Sequence, residues 1–301
     1  IIESENHSRA VRFATFNTSL FRKEAGQLIE DLSTVDDSQA QTVAEIIQRL
    51  RPDVLLVNEF DYDEAEQAAE SFQDNYLSVG QNGLEPIHYP YLFCAPSNTG
   101  IDSGFDLDRD GELGGPGDAY GYGLFPGQYG MAVLSKYPIE RNGIRTFQHF
   151  LWRDMPGALL PSRCTAEEIN ILRLSSKSHW DVPIDISEQT VHFLVSHPTP
   201  PIGSGSQNEL RERNFDEIRF WADYIDPVRN DYLYDDKGQQ GGLHAGAYFV
   251  IAGDQNADPL DGSSLPGAAQ QLTKHPLINN SVIPSSPGGA EQAALQGLAN
   301  T

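Results

Sequence analysis

Five polar residues suited to holding metal ions or phosphate each stand where an apolar run ends. Asn17 follows Phe13-Ala14-Thr15-Phe16, and Glu59 follows Val54-Leu55-Leu56-Val57-Asn58. His197 follows Phe193-Leu194-Val195-Ser196. Asp254 and Asn256 follow Tyr248-Phe249-Val250-Ile251-Ala252-Gly253. Asp254 and Asn256 are two residues apart, so on an extended chain their side chains share a side. A hard oxygen acceptor beside an amide, at the end of a rigid strand, is the support that pre-organised chemistry needs. Each residue alone has a plainer reading as a cap or turn, since Asp and Asn favour turns. Five coincidences of this kind argue for a site.

The elements that must carry these groups are legible in part. The run at 248–252 reads as a strand buried on both faces, stopped by Gly253 and then Pro259. Further strands are expected at 11–16, 54–57, 129–135 and 191–196. Ser38 and Gln41 form a capping box for a helix with Val43, Ile46, Ile47 and Leu50 on one face, and Pro52 ends it. Strand, helix and strand make a βαβ unit, which predicts parallel pairing. A weaker helix is expected at 63–72, and a helix at 207–225 with Phe215, Ile218, Ala222 and Ile225 on one stripe. Residues 142–185 show no clear pattern, and Trp152 and Trp180 are expected to pack locally. Residues 1–301 read as one domain, with 95–128 as a Gly- and Asp-rich insert.

Composition bounds the rest. With 301 residues the chain can bury a large core, and 39% hydrophobic content is ordinary for a globular protein. The formal charge is -23, from 43 acidic and 20 basic residues, which disfavours tight non-specific nucleic-acid binding. No apolar run is long enough to span a membrane. The chain begins at Ile1 without a signal-like segment, so a processed or cut chain is expected, secreted or periplasmic. Cys94 and Cys164 leave two readings open: unrelated buried thiols or one disulfide. No Walker lysine motif and no Gly-x-Ser-x-Gly elbow occurs.

Residues 95–128 hold nine glycines and no periodicity. Such a loop in a compact domain has a function or holds an ion. Asp106, Asp108 and Asp110 alternate as in a Ca²⁺ loop, although the twelfth position from Asp106 is Gly117, not Glu. Thr99, Asp102 or Asp118 could supply further ligands.

Taken in order, Phe13-Ala14-Thr15-Phe16-Asn17, Arg51-Pro52-Asp53-Val54 through Asn58-Glu59-Phe60, Tyr129-Gly130-Met131-Ala132-Val133-Leu134-Ser135-Lys136-Tyr137-Pro138, Val195-Ser196-His197 and Gly253-Asp254-Gln255-Asn256 resemble the motifs of the endonuclease/exonuclease/phosphatase superfamily. The resemblance spans residues 11–259. It implies a four-layer α/β sandwich of two packed mixed sheets with flanking helices. It also implies a metal-dependent phosphoester hydrolase using Mg²⁺ or Mn²⁺. Glu59 would be the metal ligand, with Asn17 as ligand or water-holder. Asp254 would orient the attacking water, Asn256 would hold a phosphate oxygen or that water, and His197 would contact the phosphate or protonate the leaving oxygen. Tyr129 could contact phosphate or serve the core.

One departure stands out. Family members close with Ser-Asp-His, and none of the eight histidines here follows an Asp in that arrangement. Nothing after Asp258 reads as a strand pair, so the closing strands are expected to be missing, which would expose a sheet edge. This predicts a fragment, completed by a C-terminal piece of the same protein, or else a catalytically silent binding module. A nuclease of the same family is a further alternative.

Overall fold

The computed structural model describes residues 10–203, 207–260, 262–282 and 285–296. Its strands are β1 (Phe13–Leu20), β2 (Val54–Phe60), β3 (Tyr91–Cys94), β4 (Met131–Ser135), β5 (Arg145–Thr146), β6 (His179–Ile186), β7 (Gln189–Ser196) and β8 (Tyr248–Ala252). Its α-helices are α1 (Gln27–Leu32), α2 (Ser38–Leu50), α3 (Gln67–Phe72), α4 (Ala166–Ile169), α5 (Gln207–Tyr224), α6 (Gln270–Thr273) and α7 (Pro287–Gln296). Two four-stranded sheets form, in the orders β1-β2-β4-β3 and β5-β6-β7-β8. Both are mixed. Strands β1 and β2 run parallel across α2, and β7 and β8 run parallel across α5. Antiparallel pairs complete each sheet.

The alternation of side chains along each strand explains the layers. On β2, Val54 and Leu56 point into a core shared with Trp180, Val182, Phe193 and Val195 of the second sheet. Leu55 and Val57 point the other way, onto α1, α2 and α3. The outer face of the second sheet buries Leu194 against Phe220, Trp221 and Tyr224 of α5. Helices, sheet, sheet and helix therefore stack as the expected α/β sandwich. No helix among the described residues is long and apolar enough to cross a membrane.

Several local expectations need correction. Helix α2 is capped by Asp37, not by a Ser38–Gln41 box; the Asp37 carboxylate accepts from Ala40 N at 2.7 Å. Arg22 holds that carboxylate at 2.9 Å, which fixes it over the helix N-terminus. Trp180 does not pack locally: it crosses to the first sheet and meets Phe93 edge-on at 5.0 Å. Strand β8 is not buried on both faces; its residues are exposed or half-buried. Among the described residues it pairs only with β7, so it ends its sheet, as β1 ends the other. Past Asp258 the described residues form α6 and α7 and no strand. Helix α5 is buried well beyond the expected stripe, because Asn214, Glu217, Trp221 and Tyr224 form its deepest face.

Candidate active site

The C-terminal ends of β1, β2, β7 and β8 meet where the edges of the two sheets adjoin. Strand β8 stops at Gly253, whose φ of 144° suits glycine alone. A Cβ there would lie 1.9 Å from Ser196 O, so the β8 exit can press onto the end of β7 only at a glycine. That turn delivers Asp254. Its Oδ2 accepts from Asn17 Nδ2 at 3.0 Å, which ties the edges of the two sheets together. Its Oδ1 accepts from Asn256 N at 3.1 Å. Asn256 Nδ2 donates to Pro198 O at 3.0 Å, linking the turn to the residue after His197. His197 Nε2 lies 3.7 Å from Asp254 Oδ2. Three of the five strand-end residues, Asn17, Asp254 and Asn256, are thus hydrogen-bonded to one another, and His197 stands beside them.

Glu59 reaches them through Ser19. Ser19 N donates to Asn17 Oδ1 at 3.2 Å, and Ser19 Oγ donates to Glu59 Oε2 at 3.4 Å. Ser19, Glu59, Tyr129 and Asn256 all adopt left-handed φ, from 49° to 57°. Each such non-glycine residue costs about 1–3 kcal/mol, and their clustering marks a region where geometry outranks stability. Asn58, wholly buried, braces the centre: its Oδ1 accepts from Thr15 Oγ1 at 3.1 Å and from Asp254 N at 3.3 Å. Its Nδ2 has no partner. Tyr129 is half-buried on Phe21, and burial, then Tyr122 and Glu59, push its phenol pKa up.

His197 is 2% exposed, and its Nδ1 has no partner. Burial, and then the Lys177 ammonium, hold its pKa well below the ordinary value, so the ring is neutral near pH 7. The wall behind it is clamped by Glu217 of α5, which accepts from Ser176 N at 2.6 Å and from Thr199 N at 2.5 Å. A cleft of about 690 Å³ opens in front of Asp254, lined also by Pro200, Ile202, Gln255, Asn256 and Asp258.

His179 supports the same wall, bonded to Ser175 Oγ and, through Nε2, to Glu217 O at 2.8 Å. Burial pulls its pKa from 6.5 down to about 4. The unfolded chain therefore takes up this proton between those values while the folded chain does not. Stability contributed by neutral His179 is complete above the unfolded pKa and is lost as pH falls towards 4, by about 3 kcal/mol over the window. Urea denaturation of wild type and His179→Phe at several pH values should show a shallower pH slope in the variant; equal slopes would refute the assignment.

The acidic loop assembles differently from its expected spacing. Asp106 and Asp108 are brought together with Asp118, not with Asp110. Asp110 turns away and accepts from Glu112 N at 2.8 Å. Asp118 is 1% exposed and takes the central place because its oxygens accept from Leu107 N at 2.7 Å and Gly114 N at 2.9 Å. Asp102 is not part of the cluster. Cys94 and Cys164 are free thiols, packed against separate cores.

Three residues of the site carried no role in the sequence reading: Asn58, Lys177 and Glu217. For Glu217, a carboxylate in the midst of α5's apolar positions was the available signal; the Ser175–His179 run offered none.

The donor set suits a hard divalent cation. Glu59 offers a half-buried carboxylate whose one bond, to Ser19, is long, and Asn17 offers an amide oxygen beside it.

Solved structures with related chain traces include a sphingomyelinase C from Streptomyces griseocarneus, 17% identical, matched over 93% of this chain and 72% of that one with a TM-score of 0.45. An endonuclease/exonuclease/phosphatase from Beutenbergia cavernae is 17% identical over 90% of this chain and 50% of its own, with a TM-score of 0.45. A beta toxin variant from Staphylococcus aureus with bound magnesium ions is 16% identical over 90% and 71%, also at 0.45. No curated protein sequence matches the chain. The family model does match, across residues 14–290, and so takes in every strand end described above. On that match the chain belongs to the Endonuclease/Exonuclease/phosphatase family.

Proposed function

We propose that this chain is a metal-dependent phosphoester hydrolase. The observation that supports this best is the hydrogen-bonded set Asn17, Asp254 and Asn256, with His197 Nε2 3.7 Å from Asp254 and Glu59 linked to Asn17 by two hydrogen bonds through Ser19. Glu59 and Asn17 would hold Mg²⁺ or Mn²⁺, which when bound neutralises charge on the substrate phosphate.

The chain's own residues do the rest. Asp254 has both oxygens anchored, by Asn17 and Asn256, and keeps lone pairs free to take a proton from the attacking water. His197, neutral and sealed from solvent, donates a hydrogen bond to a phosphate oxygen without needing to be charged. Asn58 Nδ2, unpartnered at the centre, supplies another donor on the same wall. The net charge of -23 favours small phosphoesters over long nucleic acids, and salt-insensitive turnover would separate the two.

The test is hydrolysis of 4-nitrophenyl phosphate and bis(4-nitrophenyl) phosphate before and after chelation. Turnover should vanish with chelator and return on adding Mg²⁺ or Mn²⁺. Turnover that persists through exhaustive chelation would refute the reading.

A further inference from the structure

Lys177 is 7% exposed, yet its ammonium makes no hydrogen bond or ion pair among the described residues. A buried charge without a counter-ion destabilises a fold, so it calls for a ligand. Its backbone is fixed from three sides. Ser176 N is held by Glu217, Lys177 O accepts from Asn98 N at 2.8 Å, and the insert loop presses Gly121 onto Ser176 O, where a Cβ would come within 1.8 Å. The β6–β7 ladder pairs His179 with Ser196, and Glu217 holds both Ser176 N and Thr199 N, so the segment with Lys177 runs beside the segment with His197 and Thr199. The carboxylates acting on it are Glu217, then Glu59 and Asp254, the last two being the site's own. Glu217 makes no direct ion pair with it, its oxygens being turned to the amides of Ser176 and Thr199. Arg213, the nearby cation, donates instead to the carbonyls of Leu174, Tyr120 and Arg173. The same wall holds polar atoms without partners: Ser176 Oγ, His197 Nδ1 and Thr199 Oγ1.

We propose that Lys177 is the phosphoryl-binding cation of this site, its ammonium contacting a non-bridging oxygen of a compact anionic phosphoester. This deepens the hydrolase reading and rests on it for the identity of the anion. The lysine supplies a positive charge that Glu59 and Asp254 both feel in a strongly acidic chain.

The experiment is calorimetric titration of inorganic phosphate into the full chain as wild type, Lys177→Met and Lys177→Arg, with urea midpoints for each. Lys177→Met should weaken phosphate binding about tenfold or more while its urea midpoint holds or rises; Lys177→Arg should bind within a few-fold of wild type. Phosphate affinity unchanged in a folded Lys177→Met protein overturns the proposal. Should Lys177→Met fail to fold, the lysine Nζ resonances of the wild type serve instead, since the chain has five lysines and Lys177→Arg identifies the signal. That signal should move with phosphate; a fixed signal at saturation overturns the proposal equally. Phosphate binding that depends on Lys177 in a protein without turnover would sink the hydrolase reading and leave this one standing. Normal KM in Lys177→Met would do the reverse.

Discussion

Asp254→Asn is expected to lower kcat about 10³-fold with little change in KM, the loss typical of removing a positioned general base. The substitution keeps shape and removes the charge. Its effect on folding should be under about 1 kcal/mol, because the side chain is 33% exposed and one oxygen remains to accept from Asn17 or Asn256. Steady-state kinetics with 4-nitrophenyl phosphate, alongside a urea midpoint, measure both. A kcat within threefold of wild type would remove Asp254 from the chemistry and shift attention to His197.

The second large effect is on stability. Glu217 is wholly buried and satisfies two amides that belong to different segments, Ser176 before β6 and Thr199 after β7. Glu217→Ala removes both bonds and leaves a void, and should cost about 3–5 kcal/mol. Glu217→Gln keeps one acceptor and should cost about half as much. Urea titrations followed by tryptophan fluorescence would show it, since Trp221 lies one turn along the same helix. A loss under 1 kcal/mol would mean the two loops are held by other contacts.

What the chain disclosed before its structure was known follows from how local each signal is. The strands at β2 and β4 were legible because both faces are apolar. Strand β6 was not: His179, Asp181 and Asp185 interrupt it, and Asp181 is stabilised by Tyr224 at 2.6 Å and His192 at 2.8 Å, partners that only the fold supplies. The short β3 and β5 offer too few residues for any period to show. The five strand-end residues were found because each follows an apolar run. Lys177 and Glu217 were not legible as site residues because their meaning lies in groups far along the chain, 18 and 41 positions away for Glu217, and no spacing rule connects them. In the acidic loop, regular alternation pointed to Asp110, but the chain doubles back and puts the buried Asp118 there instead.

The four left-handed residues Ser19, Glu59, Tyr129 and Asn256 carry a consequence for adaptation. Glycine at Ser19, Glu59, Tyr129 or Asn256 would relieve backbone strain. A library screened for heat resistance alone should therefore drift toward glycine at these positions and discard side chains of the proposed site. Selection on turnover must keep refusing that drift, so robustness in this lineage has to be gained elsewhere, in the cores behind the sheets.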